Sequence, residues 1–221
     1  MKNNKSNLEK ITGMGVFSAL AFVMTLILSP IPPVAGFLSI DLKDAVIVIA
    51  SFIYGPVSAV LIPLVVSLIE WFTISSTGWY GFIMNFLSSA AFALIATTVY
   101  HNRRNINMAM TAFFFSTTIK TAIMLLLNLL ITPLYMTQIG VPMSASDVAE
   151  MIPKILLPFN LANSMLNSAV AILLYKPILI SLEKARLIKT KHNFVLNKSS
   201  IIMISIGFST LIVAVITLLL I

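Results

Sequence analysis

Residues 106–131 read INMAMTAFFFSTTIKTAIMLLLNLLI and contain a single charged side chain, Lys120. A helix needs about 20 predominantly apolar residues to cross the hydrocarbon core of a bilayer, and this run is longer than that. In lipid, every backbone amide and carbonyl must be paired within the protein, which favours a helix over any open structure. The run therefore predicts a membrane-spanning helix.

Six further apolar runs flank this one, at residues 11–29, 45–54, 57–72, 81–100, 155–174 and 200–221. The run at 45–54 is short, and Gly55-Pro56 separates it from the next run without any charge. That pair predicts either a tight hairpin or a broken helix. The whole pattern predicts an all-α membrane protein with six or seven spans.

The composition excludes a soluble domain. Hydrophobic residues make up 59% of the 221 residues and charged residues 10%, with a mean hydropathy of +1.03, whereas a soluble domain carries roughly a quarter charged residues. The absence of Cys excludes disulfides and thiolate metal sites. A net charge of +7 does not indicate nucleic-acid binding, because the basic residues concentrate in the loops of one side.

The distribution of charge predicts a cytoplasmic N-terminus. With that orientation, eleven of the fourteen basic residues lie in inner segments, and five of the seven acids lie in outer ones, including Asp41, Asp44 and Glu70. The reverse orientation would violate the positive-inside rule. The longer connections, 30–41, 72–80 and 132–153, are then outer ones. They indicate either capture of an external ligand or mere tolerance of insertions.

Amide side chains gather at one depth of the predicted bundle. Asn85 lies near the outer end of the fourth run and Asn128 near the outer end of the fifth. Asn160, Asn163 and Asn167 follow at i, i+3 and i+7, on one face of the sixth. An unpaired amide in hydrocarbon is costly. A single Asn is explained by packing between helices, but the shared depth favours a polar pocket for a neutral ligand with donors and acceptors.

Two other kinds of side chain leave alternatives open. Lys120 lies about 12 Å deeper than Asn128 at 1.5 Å per residue. A ligand contact is one alternative there, but pairing inside the bundle or extension toward the inner surface is favoured. Trp71, Trp79, Tyr80 and Tyr135 fit an interfacial aromatic belt. A flat ligand could stack on one of them, and the sequence does not select which.

Several functional classes lack their motifs. The sequence contains no H-E-x-x-H zinc motif, no Walker A motif and no catalytic constellation. Acids inside the spans are essentially absent by this assignment, which argues against a self-contained proton-driven carrier. A transporter of this kind would take its energy from a partner. Gly15 and Ala19 in the first run form a small-xxx-small face that lets another helix approach closely.

Several short motifs lie within residues 11–182: FLSIDLKD at 37–44, FIYGP at 52–56, SSTGW at 75–79, MNF at 84–86, ITPLY at 131–135, PFNL at 158–161 and LYKP at 174–177. Together they resemble those of riboflavin-specific substrate-binding (S) components of energy-coupling factor (ECF) transporters. The resemblance implies a six-helix bundle that binds riboflavin from outside. It also implies docking, through small residues of the first helix, on a transmembrane coupling protein with two ATPase subunits.

The resemblance implies flavin contacts at Asn128 and Asn160, the amides that their depth had already selected. Asn163 stands where the family commonly has Lys, and we add it as a candidate, with Asn85, Thr77 and Leu38 as further ones. Gly15 and Ala19 match the docking face as G-x-x-x-A. Riboflavin would be the transported ligand, with no cofactor and no metal.

The predicted organisation has four parts. Residues 1–10 form a cytoplasmic tail, 11–182 the six-helix substrate-binding domain, 183–199 a basic cytoplasmic linker, and 200–221 an additional C-terminal transmembrane helix. The expected location is the bacterial cell membrane. The alternatives are an S component for a different vitamin or related heterocycle, a membrane-embedded enzyme, and a purely structural protein.

Overall fold

The computed structural model describes residues 2–102, 106–184 and 198–221. Within these ranges the chain forms eight α-helices and a π-helical segment, Ile152–Leu156. The helices are α1 (Lys2–Leu28), α2 (Lys43–Tyr54), α3 (Ser58–Thr73), α4 (Gly78–Asn102), α5 (Ile106–Gln138), α6 (Ala145–Met151), α7 (Leu157–Lys184) and α8 (Lys198–Leu220). The expectation of an all-helical protein is confirmed. Most of the predicted 183–199 linker lies outside the described residues.

Helix boundaries differ from the expected ones at several places. α1 begins at Lys2 rather than Ile11, because residues 2–10 contain no Pro or Gly and continue the helix. α5 continues through Pro133 to Gln138, since a proline removes one hydrogen bond without having to end a membrane helix. The expected outer loop at 132–153 is therefore mostly helical. Ser144 and Asp147 form a capping box at the start of α6.

Several helices have the dimensions of membrane spans. Leu8–Leu28, Gly78–Asn102, Met108–Gln138 and Ala145–Tyr175 are long and apolar enough to cross a bilayer, whereas Ser58–Thr73 and Ile204–Leu220 are shorter apolar helices. α2 has only 12 residues. It ends at Gly55, whose φ of 97° suits glycine and whose N–H bonds the carbonyl of Ser51.

α2 is the centre of the bundle. It packs against α1, α3, α4 and α7, and its residues from Lys43 to Phe52 are all buried. A helix that is apolar around its whole circumference is stable only when it is surrounded, and the sequence VIVIA at residues 46–50 fits that requirement. α8 packs along α7.

The segment between α1 and α2 is irregular, as its prolines predict. Val34 and Leu38 form an isolated antiparallel bridge around Ala35 and Gly36, which have φ values of 52° and 82°. We call residues 29–42 the capture loop. This loop, the start of α2, the ends of α1 and α3, and the start of α7 lie together at one end of the bundle, here named the cavity end.

Candidate ligand-binding site

A cavity of about 260 Å³ opens at the cavity end. This volume lies just below the ~300–1,000 Å³ typical of small-molecule sites. Its walls come from α1, the capture loop, the start of α2, α3, the connection between α3 and α4, α4, α5 and α7, and they mix polar and apolar side chains in similar proportion. Such a lining suits a ligand with both a flat apolar part and hydrogen-bonding groups.

The three principal amides predicted from the sequence lie in this wall. Asn128, Asn160 and Asn163 are 1%, 5% and 6% exposed. Asn128 donates to the carbonyl of Met124 at 2.7 Å, and its Oδ1 accepts from the Thr132 hydroxyl at 2.9 Å. These bonds orient the Asn128 amide before any ligand arrives, which reduces the entropy lost on binding.

Asn160 and Asn163 keep hydrogen-bonding capacity for a ligand. The Nδ2 of Asn160 donates to the carbonyl of Leu156 at 2.7 Å, and the Oδ1 of Asn163 accepts from the backbone N–H of Asp41 at 3.3 Å. Among the described residues, the Oδ1 of Asn160 and the Nδ2 of Asn163 have no partner. One acceptor and one donor therefore face the cavity side of α7, a pairing that matches a carbonyl beside a ring nitrogen.

The three further candidates also reach the cavity. Leu38 projects from the capture loop and is 8% exposed, Thr77 precedes α4, and Asn85 lies two turns into that helix. Asn85 donates to the Glu70 carboxylate at 3.1 Å. All six residues named from the sequence thus line one cavity, and their roles in binding stay predictions.

Asn167 shares a face of α7 with Asn160 and Asn163 but has a structural role. Its Nδ2 donates to the carbonyl of Asp41 at 2.8 Å, and its Oδ1 accepts from the N–H of Ala45 at 2.9 Å. It is fully buried and is not part of the cavity wall. Asn167 therefore ties the end of the capture loop and the start of α2 to α7.

Asp44 and Glu70, which the sequence placed in outer segments, lie within α2 and α3 and are buried in the bundle at 1% and 2% exposure. Lys43 donates to both Glu70 oxygens at 2.7 and 2.9 Å, and the Thr25 hydroxyl also donates to Glu70 at 2.8 Å. The ion pair between Lys43 and Glu70 could not be predicted from the sequence, because the two residues are distant in the chain and lie on different helices. The expectation that acids are essentially absent from the spans is therefore wrong.

Lys120 pairs inside the bundle, one of the two alternatives that the sequence favoured. Its Nζ lies 2.7 Å from Asp44 Oδ2 and 5.2 Å from the centre of the Phe92 ring. Lys120 is 2% exposed and is absent from the cavity wall. The ion pair joins α5 to the start of α2 beneath the cavity.

Asp41 carries the remaining negative charge of the cavity wall. Its Oδ2 lies 3.9 Å from the Lys43 Nζ, which is already held by Glu70. Burial of the Asp41 carboxyl raises its pKa from 3.8 to about 6, against the opposing attraction of Lys43. With Asp41 ionised, Asp41, Glu70 and Lys43 leave one net negative charge at the cavity, an unfavourable setting for an anionic ligand.

Aromatic side chains provide flat surfaces at the cavity. Tyr80 and Tyr135 both line it and meet edge to face, with ring centres 6.0 Å apart. Trp71 and Trp79 are 36% and 47% exposed on the outside of the bundle and do not line it. The structure thus separates the four outer aromatics into two cavity residues and two that fit an interfacial belt.

Gly15 and Ala19 do not line the cavity and lie on the outer surface of α1. Both are exposed, and a Cβ added at Gly15 would meet no atom within 4 Å. Their neighbours Phe17 and Ser18 face the core instead. This small-residue face is therefore open for contact with another helix.

Sequence reasoning missed several cavity residues. Thr25, Lys43, Glu70, Phe37 and Phe159 all line it. Asp41 and Asp44 were assigned to outer segments, and Lys43 between them was assigned with them rather than to a cavity. Among residues 2–102, 106–184 and 198–221, no group of three His, Cys, Asp or Glu side chains could hold a metal ion.

Residues 9–179 match the family model for the substrate-specific component of ECF transporters. The chain is 31% identical over 180 residues to the riboflavin transporter RibU of Staphylococcus aureus (strain TCH60), covering 79% of this chain and 93% of that protein.

It is 25% identical over 171 residues to the riboflavin transporter FmnP of Bacillus subtilis (strain 168), covering 76% of this chain and 90% of that one. Among solved structures, an S component of a bacterial ECF transporter superposes with a TM-score of 0.66 at 28% identity. That alignment covers 80% of this chain and 99% of the other.

Proposed function

The chain belongs to the family of substrate-specific components of ECF transporters, and on this premise we propose that it captures riboflavin for uptake. The observation that carries the proposal is the convergence of Asn128, Asn160 and Asn163 on one cavity. Their free acceptor and donor match the polar edge of a flavin or its ribityl hydroxyls. Tyr80 and Tyr135 offer faces for the flat ring.

The capture loop is the entrance in this proposal. Leu38 and Phe37 line the cavity from the loop side, and Asn163 and Asn167 hold the loop end at Asp41. A ligand that enters beneath the loop would bury its ring against Leu38 and gain hydrophobic stabilisation. Thr77 and Asn85 would contribute from the opposite wall.

We further propose a topology for the membrane. α1 to α5 and α7 form the six-helix bundle, α8 is an additional span, and the cavity end faces outward. The concentration of basic residues at the other end of the spans supports a cytoplasmic N-terminus in a bacterial cell membrane. On the same assignment, residues 1–10 are a cytoplasmic tail and residues 183–199 are a basic cytoplasmic linker.

The energy for transport comes from partners in this proposal. The chain acts without catalysis and without a cofactor of its own, and it docks on a transmembrane coupling protein with two ATPase subunits. The exposed face of Gly15 and Ala19 supports docking through α1. Equal co-purification of the coupling protein with wild type and with Gly15→Leu would contradict this contact.

Quenching of flavin fluorescence tests ligand binding directly. Titration of purified wild type with riboflavin should quench the fluorescence, and Asn160→Leu should weaken binding roughly 10- to 100-fold, because a buried polar partner is lost. Asn102→Leu is a matched control, since Asn102 is exposed at the opposite end. No quenching by wild type at micromolar riboflavin would contradict the assignment.

A second candidate ligand is another vitamin or a related heterocycle. It is favoured by Asn163, which occupies the position of the commoner Lys and bonds the Asp41 backbone. Competition with unlabelled heterocycles in the same titration separates the two. Displacement of bound flavin by a different heterocycle at lower concentration would select the second candidate.

A further inference from the structure

α8 contacts α7 along a regular seam. Less exposed residues along this seam are spaced by three and four, as in a coiled coil: Ile204, Gly207, Leu211, Ala214 and Leu218, followed by Ile221 directly after the helix. Thr210 and Thr217 are also less exposed and lie beside the seam. Ala214 is fully buried. A Cβ on Gly207 would lie 3.0 Å from Leu173 Cδ2 and 3.4 Å from Ile172 Cγ2. The two helices therefore approach as closely as a glycine permits.

The other face of α8 is apolar and exposed. Ile212, Val213 and Ile216 are 56%, 51% and 51% exposed, and Leu219 and Leu220 are 80% and 82% exposed. A helix with one packed seam and an apolar outer face suits a lipid environment on that side. The seam is thus a specific contact with α7, and the rest of the α8 surface suits non-specific contact with lipid.

The end of this seam reaches the cavity end. Leu218 and Ile221 pack against a buried cluster formed by Leu38, Val148, Leu156 and Phe159, which we call the loop cluster. Leu38 and Phe159 also line the cavity. The loop cluster therefore joins the capture loop, α6 and the start of α7, and α8 covers it from outside.

We propose that α8 is a brace for the capture loop: its last turn supports the loop cluster and slows release of the bound ligand. The proposal rests on the proposed function for the identity of that ligand. Leu218 and Ile221 are positioning residues, because they act on the ligand through Leu38 and Phe159. Removing their side chains leaves the loop cluster underpacked, which favours opening of the loop.

Adjacent residues at the end of α8 provide a matched test in the whole chain. Leu218→Ala with Ile221→Ala should speed riboflavin dissociation about tenfold and leave the association rate within about twofold, because such changes act mainly on dissociation. Leu219→Ala with Leu220→Ala removes similar apolar volume from the exposed face and should leave both rates unchanged. The rates are measured by fluorescence recovery after mixing with excess competitor.

If Leu218 and Ile221 had a purely structural role, replacing them would not change the dissociation rate while leaving the association rate unchanged. Leu218→Met with Ile221→Leu should restore slow dissociation by refilling the volume beside the loop cluster. Gly207→Leu, which pushes the whole of α8 from α7, should speed dissociation as well. Equal dissociation from wild type and the Leu218/Ile221 variant, both folded, would overturn the proposal.

Hydrogen exchange tests the brace without any ligand. Backbone amides at residues 34–41, including the Leu38 N–H bonded to the Val34 carbonyl, should exchange faster in the Leu218→Ala, Ile221→Ala protein than in the Leu219→Ala, Leu220→Ala protein. Absent flavin quenching in wild type would reject riboflavin, whereas equal exchange in the two variants would reject the brace. The two failures are therefore distinguishable.

Discussion

The two ends of the bundle are stabilised in different ways. Around the cavity, ion pairs and amides join the helices, as in the contacts of Lys43 with Glu70 and of Asn167 with Asp41. At the opposite end, aromatic rings fill the space. Phe52 stacks on Tyr100 with ring centres 4.1 Å apart and meets Tyr175 edge to face.

The difference shows how a membrane bundle keeps an empty space. Apolar packing is non-directional, so an apolar end closes on itself until no void remains. Ion pairs and amide bonds fix helices at defined separations, and their partners cannot leave without exposing a charge to a medium of low dielectric constant. The polar end can therefore hold a cavity open, and the aromatic end gives the bundle its rigid base.

The largest expected effect comes from breaking an ion pair of the cavity end. Lys120→Met leaves the buried Asp44 carboxylate without its partner and should lower the free energy of unfolding by roughly 3–5 kcal/mol. Adding Asp44→Leu should recover much of that loss, because the unpaired charge is then gone. Thermal unfolding in detergent measures both, and equal melting of the single and double variants would contradict the ion-pair interpretation.

A change at the aromatic end should lower stability without altering the cavity. Phe52→Ala removes a ring that is 4% exposed and should lower the free energy of unfolding by about 3 kcal/mol. The affinity of the folded protein for ligand should stay within about twofold. Phe114→Ala, at a residue that is 68% exposed, is the control for loss of a ring. A large loss of affinity in Phe52→Ala would mean that the two ends are coupled.

A smaller effect is expected where the capture loop meets α7. Asn167→Leu leaves the Asp41 carbonyl and the Ala45 N–H without their bonds and should cost about 2 kcal/mol. Because the loop end is then loose, ligand should also bind more weakly, unlike in Phe52→Ala. Calorimetry and flavin titration on one preparation report the two quantities. Weaker stability with unchanged affinity would show that the loop is held elsewhere.

The smallest effect concerns pH. The pKa of Asp41 is raised to about 6 in the folded chain, so the folded state binds a proton more tightly than the unfolded state. Its contribution to stability is therefore greatest at low pH and falls as the pH rises from about 4 to 6. Asp41→Asn should flatten that part of the profile relative to wild type. Melting temperatures between pH 4 and 8 test this, and parallel profiles would count against it.

Much of the candidate site could be predicted because membrane burial makes polar residues conspicuous. Asn128, Asn160 and Asn163 stand out in apolar runs, and helical spacing placed the last two on one face. Lys43 and Glu70 could not be read in the same way. Each lies at the end of a run, where a solvated charge looks the same as a buried one until its partner is known.

The sequence alone determined the helical class, the positions of the apolar runs and the level of the amides, because hydropathy and helical period are local properties. Only the tertiary structure decided which polar groups face the cavity and which merely join helices, as the contrast of Asn163 with Asn167 shows. It also decided that α8 reaches the loop cluster. Such choices depend on contacts between residues distant in the chain, and no local pattern encodes them.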